Sequence, residues 1–361
     1  MILGSCTKTT TTTTTSVTKT TPTATLNSPT PLTTITQFVG LTGAGATFPA
    51  PFYTKVFDEY NKQFGVRVNF QAVGSGAGQS QLKNKTVDFG ASDVVVADAE
   101  IKSYPAPFVH IPIVAGAAVI TYNLPGNPEL KLTPDVLADI FLGKITRWND
   151  ARISALNPSM NLPKTTITVV HRADGSGTTA VFSDYLSKVS DDWKSKVGVG
   201  QSLSWPAGVG GKGNPGVAGL VKQMPGAVGY VELIYALQNN MPYASLKNKS
   251  GNFVKPSLAS TSAAANVTIP NDVTKTSLTN TDAAEGYPIS TFTWILLYTE
   301  QSYDNKTQAT AEALVKLLWW MTHDGQKFAE SLSYATLPPA VVAKAEVLIK
   351  SVTYNGAPIM K

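Results

Sequence analysis

The chain has 361 residues, 43% of them apolar, which is material for the cores of two domains of ordinary size. A net charge of +5 without a dense Lys/Arg stripe argues against a nucleic-acid binder, and a single cysteine (Cys6) with three scattered histidines (His110, His171, His323) excludes an internal disulfide and a zinc site. No apolar run approaches the roughly 20 residues that a bilayer crossing requires.

The N-terminal stretch is not a folded domain. Thr7 to Thr36 is dominated by Thr, Pro, Ser and Lys and cannot bury enough apolar surface to offset its ordering entropy. Such a composition reads as an extended stalk, of a kind often O-glycosylated. Leu3-Gly4-Ser5-Cys6 resembles a prokaryotic lipobox, with Cys6 as the lipidated residue. Only five residues precede Cys6, so the basic and apolar parts of a signal peptide are missing. Residues 1–39 therefore read as a truncated leader with its lipobox, followed by a disordered Thr-rich stalk. The expected location is extracytoplasmic, at a cell surface or in a periplasm, anchored through Cys6.

From Leu41 onward strand-like and helix-like segments alternate, which indicates an α/β architecture. Leu41 to Gly45 is short and Gly-rich. Thr47-Phe48-Pro49 opens a helix, with Thr47 as the N-cap and Pro49 in the first turn. Phe52, Val56, Phe57, Tyr60 and Phe64 recur at helical spacing until Gly65. Val66, Val68 and Phe70 alternate as a strand does. Gly74-Ser75-Gly76 opens another helix, and Val87 to Ala91 is a short strand ending at Ser92-Asp93. Thr133-Pro134-Asp135 starts a helix through Phe141. Thr166 to Val170 is a β-branched strand, followed by Asp174-Gly175-Ser176-Gly177 and a helix carrying Val181, Phe182, Tyr185 and Leu186. Ala227 to Val231 is strand, and residues 250–282 read as loop. Two apolar segments, Phe108 to Tyr122 and Ile289 to Tyr298, suit strands that cross between two lobes. Residues 40–115 with 286–361 would then form one lobe and 116–285 the other, with a cleft between them.

Three turns place glycines and small hydroxyl residues between a strand and a helix: Gly45-Ala46-Thr47-Phe48, Gly74-Ser75-Gly76-Ala77-Gly78 and Asp174-Gly175-Ser176-Gly177-Thr178-Thr179. Any one of them is an ordinary helix start. Three converging would surround a tetrahedral oxyanion with N–H groups, hydroxyls and the positive ends of helix dipoles, with no metal. Arg172 could grip two oxygens of that anion in a fork, oriented by Asp174, or the two could be a surface ion pair. Spacing alone reads Asp93 as a strand-end cap. A second reading gives it a function: an ionised carboxylate only accepts hydrogen bonds, so it suits hydrogen phosphate, which carries a proton, and not sulfate.

Two patterns are set aside. Gly208-Val209-Gly210-Gly211-Lys212-Gly213 lacks the Ser/Thr that a P-loop needs after its Lys, and reads instead as a flexible loop at the cleft rim. His171, Asp174 and Ser176 are the residue types of a hydrolase triad but stand too close together, and there is no G-x-S-x-G elbow.

The chain resembles the phosphate-binding proteins of bacterial and archaeal phosphate ABC transporters, from Leu41 to the C-terminal region. The resemblance is carried by residues 41–51 (LTGAGATFPAP), 87–93 (VDFGASD), 172–178 (RADGSGT) and 210–214 (GGKGN). It implies a two-lobed, periplasmic binding protein-like (type II) α/β fold that closes on phosphate in a cleft between discontinuous domains. It also implies ligand contacts at Thr47, Phe48 (through its N–H), Ser75, Asp93, Arg172, Ser176, Gly177 and Thr178, with Asp174 pairing the Arg and Asp93 accepting the phosphate proton. His171 departs from the family, where an Arg is common, and residues around Ser75 (Val73, Gly76-Ala77-Gly78) vary. The expected partners are inorganic phosphate and the membrane permease of an ABC importer. No nucleic acid, metal, cofactor or catalytic step is called for, and a monomer is expected. Competing readings are a surface phosphomonoesterase, or the same scaffold holding sulfate, molybdate or arsenate.

Overall fold

The longest apolar run of the sequence becomes a 15-residue strand, Phe108–Tyr122, around which the rest is arranged. The computed structural model describes residues 39–361; the readings made for the leader, Cys6 and the Thr-rich stalk lie outside the described residues. One mixed sheet contains eight strands: β1 (Gly40–Gly45), β2 (Arg67–Ala72), β3 (Phe89–Ser92), β4 (Phe108–Tyr122), β5 (Thr168–Arg172), β6 (Val209–Gly211), β7 (Ala227–Glu232) and β8 (Ser290–Tyr298). Their spatial order is β2-β1-β3-β8-β4-β7-β5-β6.

β4 changes partner along its length. Phe108 to Ala117 pairs antiparallel with β8, running from Phe108 opposite Tyr298 to Ala117 opposite Ser290. Ala118 to Tyr122 then pairs antiparallel with β7. β3 also pairs antiparallel with β8, and the remaining ladders, β1 with β2 and β3, and β5 with β6 and β7, are parallel. The two halves of the sheet thus share one continuous strand, and Ile111 to Tyr122 is buried throughout, as a strand covered on both faces should be. Pro112 is accommodated where the ladder slips between Thr293 and Trp294, because a bulge tolerates a residue that has no N–H to donate.

Helix α1 (Ala50–Phe64) buries Phe52, Tyr53, Val56, Phe57 and Tyr60 along one stripe. It ends at Gly65, whose left-handed conformation (φ 72°) returns its N–H to Asn61. Each such aromatic contributes roughly 2–3 kcal/mol by leaving water. Helix α2 (Ser75–Lys83) follows β2, α3 (Pro134–Phe141) covers the second half of the sheet, α4 (Gly177–Val189) follows β5, and α5 (Gly213–Gln223) follows β6.

Four expectations change. Thr47 does not cap α1; the helix starts after Pro49, and no side chain caps it. Strand β5 lies two residues later than expected, so Arg172 closes the strand instead of following it. Residues 250–282 are not all loop: they hold a helix, α6 (Leu258–Ala265), started by a reciprocal capping box between Ser257 and Ser260. The stretch 208–213 is no flexible rim loop; it supplies β6 and the first residue of α5. Among the described residues, no helix is long and apolar enough to cross a membrane.

The Phe48 ring is fully buried and packs against Gly116 of β4. A methyl group at position 116 would stand 2.4 Å from Phe48 Cε1, inside contact distance. We therefore expect Gly116→Ala to lower the unfolding free energy by about 1–3 kcal/mol through overpacking. Urea denaturation tests this, and an unchanged midpoint would mean that the ring is not seated on the shared strand.

Candidate anion-binding site

Four strand-to-helix turns come together beside β4. The first, ahead of α1, brings Thr47 and Phe48; the second, opening α2, brings Ser75; the third, opening α4, brings Ser176, Gly177 and Thr178. The fourth, opening α5, brings Gly213 and Asn214. Thr47, Phe48, Ser75, Asp93, Arg172, Ser176, Thr178 and Asn214 are all at most 4% exposed. The halves touch around them: Gly76 N–H donates to Gly175 O at 2.9 Å, and Gln201 Nε2 to Gln79 Oε1 at 2.8 Å.

Arg172 is held from several sides. Its Nε and Nη2 donate to the two carboxylate oxygens of Asp174 at 2.8 and 2.5 Å, and Nη1 donates to Thr178 Oγ1 at 3.2 Å. Its backbone N–H is held by the Tyr230 hydroxyl at 3.1 Å. Asp174 also accepts from Gly213 N–H at 2.9 Å, which ties the fourth turn to the pair. Burial pushes the Asp174 carboxyl up, but the Arg172 fork and the Gly213 N–H outweigh it and hold it below the usual range. The guanidinium charge is therefore already offset, and further donors must come from dipoles.

Those donors are present. Ser176 Oγ accepts from Thr179 N–H at 3.0 Å as the cap of α4, which leaves its proton free to turn inward. Ser75 Oγ accepts from Asp93 N–H at 3.2 Å. Among the described residues, the N–H groups of Phe48, Gly177 and Thr178 find no protein acceptor; the last two are the first N–H groups of α4, and Phe48 lies in the turn that leads into α1. Position 177 must be glycine, because a Cβ there would stand 2.4 Å from Ser75 Oγ and 2.7 Å from Asp93 Oδ2.

Asp93 caps nothing. Its carboxyl faces Thr178 Oγ1 and Thr293 Oγ1, both at 3.5 Å. Burial pushes its pKa up to about 7, against the opposing pull of Arg172 and of the Thr178, Thr293 and Ser75 hydroxyls. The Gly/Ser turns expected to converge do so, and Arg172, Asp174 and Asp93 meet there and not on the surface. His171 instead stacks on Trp205 at 4.7 Å, with Nδ1 at the Arg172 carbonyl, and burial depresses its pKa. Thus His171, Asp174 and Ser176 each have other partners and do not form a triad. Two residues had no role in the sequence reading: Thr293, which faces Asp93, and Asn214, which stood only within the 210–214 motif. Asn214 Nδ2 reaches Thr47 Oγ1 at 2.9 Å and Thr178 Oγ1 at 3.2 Å.

A shared central strand and a buried anion-seeking site between two halves define the class: a two-lobed solute receptor of the periplasmic-binding-protein kind. A family model described as a PBP superfamily domain matches residues 8–324. The phosphate-binding protein PstS of Xylella fastidiosa (strain 9a5c) is 44% identical over 317 residues, which span 86% of this chain and 85% of that protein. PstS of Haemophilus influenzae is 44% identical over 311 residues (85% and 91%), and PstS of Methanocaldococcus jannaschii is 40% identical over 304 residues (78% of each). The solved structure of a phosphate-binding protein from Stenotrophomonas maltophilia superposes with a TM-score of 0.66 at 18% identity, covering 85% of this chain and 93% of that one, and supports the fold. The chain belongs to the PBP superfamily and, within it, to the PstS family of phosphate-binding proteins.

The raised pKa of Asp93 has a thermodynamic consequence. Between about pH 4 and pH 7 the folded, ligand-free protein holds a proton that the unfolded chain releases. This contribution to stability is therefore complete below about pH 4 and is lost as pH rises through about 7. We expect Asp93→Asn, which has no proton to lose, to be more stable than the parent at pH 8 by about 2–4 kcal/mol, with the gap closing towards pH 4. Phosphate-free urea melts at both pH values check this; a gap independent of pH would contradict it.

Proposed function

We propose that this protein captures inorganic phosphate, as hydrogen phosphate, outside the cytoplasm and passes it unchanged to the membrane permease of an ABC importer. The observation that carries the proposal is the composition of the site. One guanidinium, already paired with Asp174, is ringed by hydroxyls and unbonded N–H groups opposite a single carboxyl, Asp93. Phosphate contacts are assigned to Thr47, Phe48 N–H, Ser75, Asp93, Arg172, Ser176, Gly177 and Thr178. The names of the PstS relatives support the same ligand.

In this reading, residues 40–115 with 286–361 make one lobe and 116–285 the other, and they close about β4 and β8. Cys6 carries a lipid, the Thr-rich stretch is a tether, and the receptor acts as a monomer. Arsenate is close to phosphate in shape and protonation and is the competing ligand that the site rejects least.

Specificity follows from proton placement. Asp93 and hydrogen phosphate together hold one proton for the bond between them, whichever partner carries it. Sulfate at pH 8 brings none, so two acceptors would face each other in a buried site. As pH falls through about 7, Asp93 becomes protonated and can donate to sulfate. We expect titration calorimetry at pH 8 to show strong preference for phosphate over sulfate, with sulfate affinity rising towards pH 6 while phosphate changes much less. Asp93→Asn should narrow the preference, and Arg172→Ala should weaken phosphate binding by about 2–5 kcal/mol. Equal affinity of the parent for both anions at pH 8 would overturn the reading, and phosphate release from a chromogenic phosphate ester would point to the phosphomonoesterase alternative.

A further inference from the structure

Asn214 is fully buried at the first turn of α5 and makes four hydrogen bonds. Its Oδ1 accepts from Glu232 N–H at 2.8 Å. A backbone N–H can only donate, so this contact fixes which end of the amide is oxygen. The NH2 end must then face the hydroxyls, and it has one hydrogen for each: Thr47 Oγ1 at 2.9 Å and Thr178 Oγ1 at 3.2 Å. These two hydroxyls come from opposite sides of the site, one ahead of α1 and one at the start of α4.

A hydroxyl has two lone pairs and one proton. Thr47 Oγ1 accepts a second bond from the backbone N–H of Asn214 at 3.1 Å. Thr178 Oγ1 accepts a second bond from Arg172 Nη1 at 3.2 Å. Both lone pairs of both oxygens are therefore occupied, and the only remaining capacity of each hydroxyl is to donate. Asp93 Oδ2 is an acceptor within reach of the Thr178 hydroxyl, with the two oxygens 3.5 Å apart.

We propose that Asn214 is a positioning residue that commits Thr47 and Thr178, one hydroxyl from each side, to act as donors, and so presets the site for a ligand that brings acceptors. Asn214 need not touch the anion. Its backing by Glu232 N–H, at the end of β7 opposite Ala118 of β4, anchors this polarity to the shared strand. The proposal rests on the phosphate reading above, but the two fail in different ways.

The test is a double-mutant cycle, read by calorimetric titration of the full chain with inorganic phosphate at pH 8. Asn214→Asp keeps the acceptor for Glu232 N–H and replaces the two donated hydrogens with an acceptor that draws the threonine protons to itself. It should weaken phosphate at least about 100-fold, and the uncharged Asn214→Leu, which merely releases the hydroxyls, about tenfold. In a Thr47→Val background the Asn214→Asp penalty should shrink by at least about fivefold, because one of the hydroxyls it misdirects is gone. Charge repulsion or loss of packing would leave the penalty the same in both backgrounds, within about twofold, and that result overturns the proposal. Should either Asn214 variant fail to fold, the cycle with the other decides. A parent that does not bind phosphate, or a Thr47→Val variant that binds as the parent does, would instead refute the assignment of the ligand or its contacts.

Discussion

The fork between Arg172 and Asp174 is the constraint on which the site depends. It fixes the guanidinium plane at the end of β5, and through Gly213 N–H it also draws in the start of α5. Because the pair neutralises itself, the site does not meet its ligand with a bare positive charge. What it offers is oriented donors: helix N-termini, hydroxyls and the outward edge of a guanidinium whose other edge is occupied. A receptor built this way recognises the number and direction of acceptors more than total charge, so a single misplaced acceptor or proton carries weight.

That is why Asp93 matters. Facing these donors it is a carboxyl that no cation holds in a fork, and it sits where Gly177 allows the two sides of the site to approach without a methyl group between them. Burial alone would exclude its charge; the Arg172 field and the surrounding hydroxyls only partly restore it. The carboxyl is thus poised to share a proton near neutral pH. In the proposed reading, the same desolvation that weakens the empty protein as pH rises would make the site sensitive to whether its guest carries hydrogen. On that reading, loss of stability and gain of selectivity would have one physical origin.

Much of this was legible in the sequence, for identifiable reasons. The shared strand declared itself because a strand buried on both faces is a nearly continuous apolar run, and Phe108–Tyr122, polar only at His110 and Thr121, matched to the residue. Helix α1 was readable from its stripe and its Gly65 stop. The hydroxyl-rich turns were visible one at a time, but their convergence is a property of topology that no local pattern carries; it entered through the family resemblance. Spacing alone favoured Asp93 as a cap, because a carboxylate after a strand looks the same whether it caps a turn or faces a cavity. Helix α6 was hidden because Ser, Thr and Ala over 258–265 leave little hydrophobic periodicity, and its capping box uses serine in both places. Asn214 stood in the 210–214 motif, but its role was hidden because its partners, Thr47, Thr178 and Glu232, are distant in sequence.

The central claim is that one proton lies between a bound phosphate and Asp93 while Arg172 holds the opposite side. A crystal structure of the protein grown with phosphate at pH 8 tests it most directly. The account predicts a single phosphate against the free edge of Arg172, reached by the Thr47 and Thr178 hydroxyls, with one phosphate oxygen roughly 2.5–2.7 Å from an Asp93 carboxylate oxygen, the spacing of a strong charge-assisted O–H···O bond. A phosphate lodged elsewhere, or one at Arg172 from which Asp93 has turned away, would contradict it.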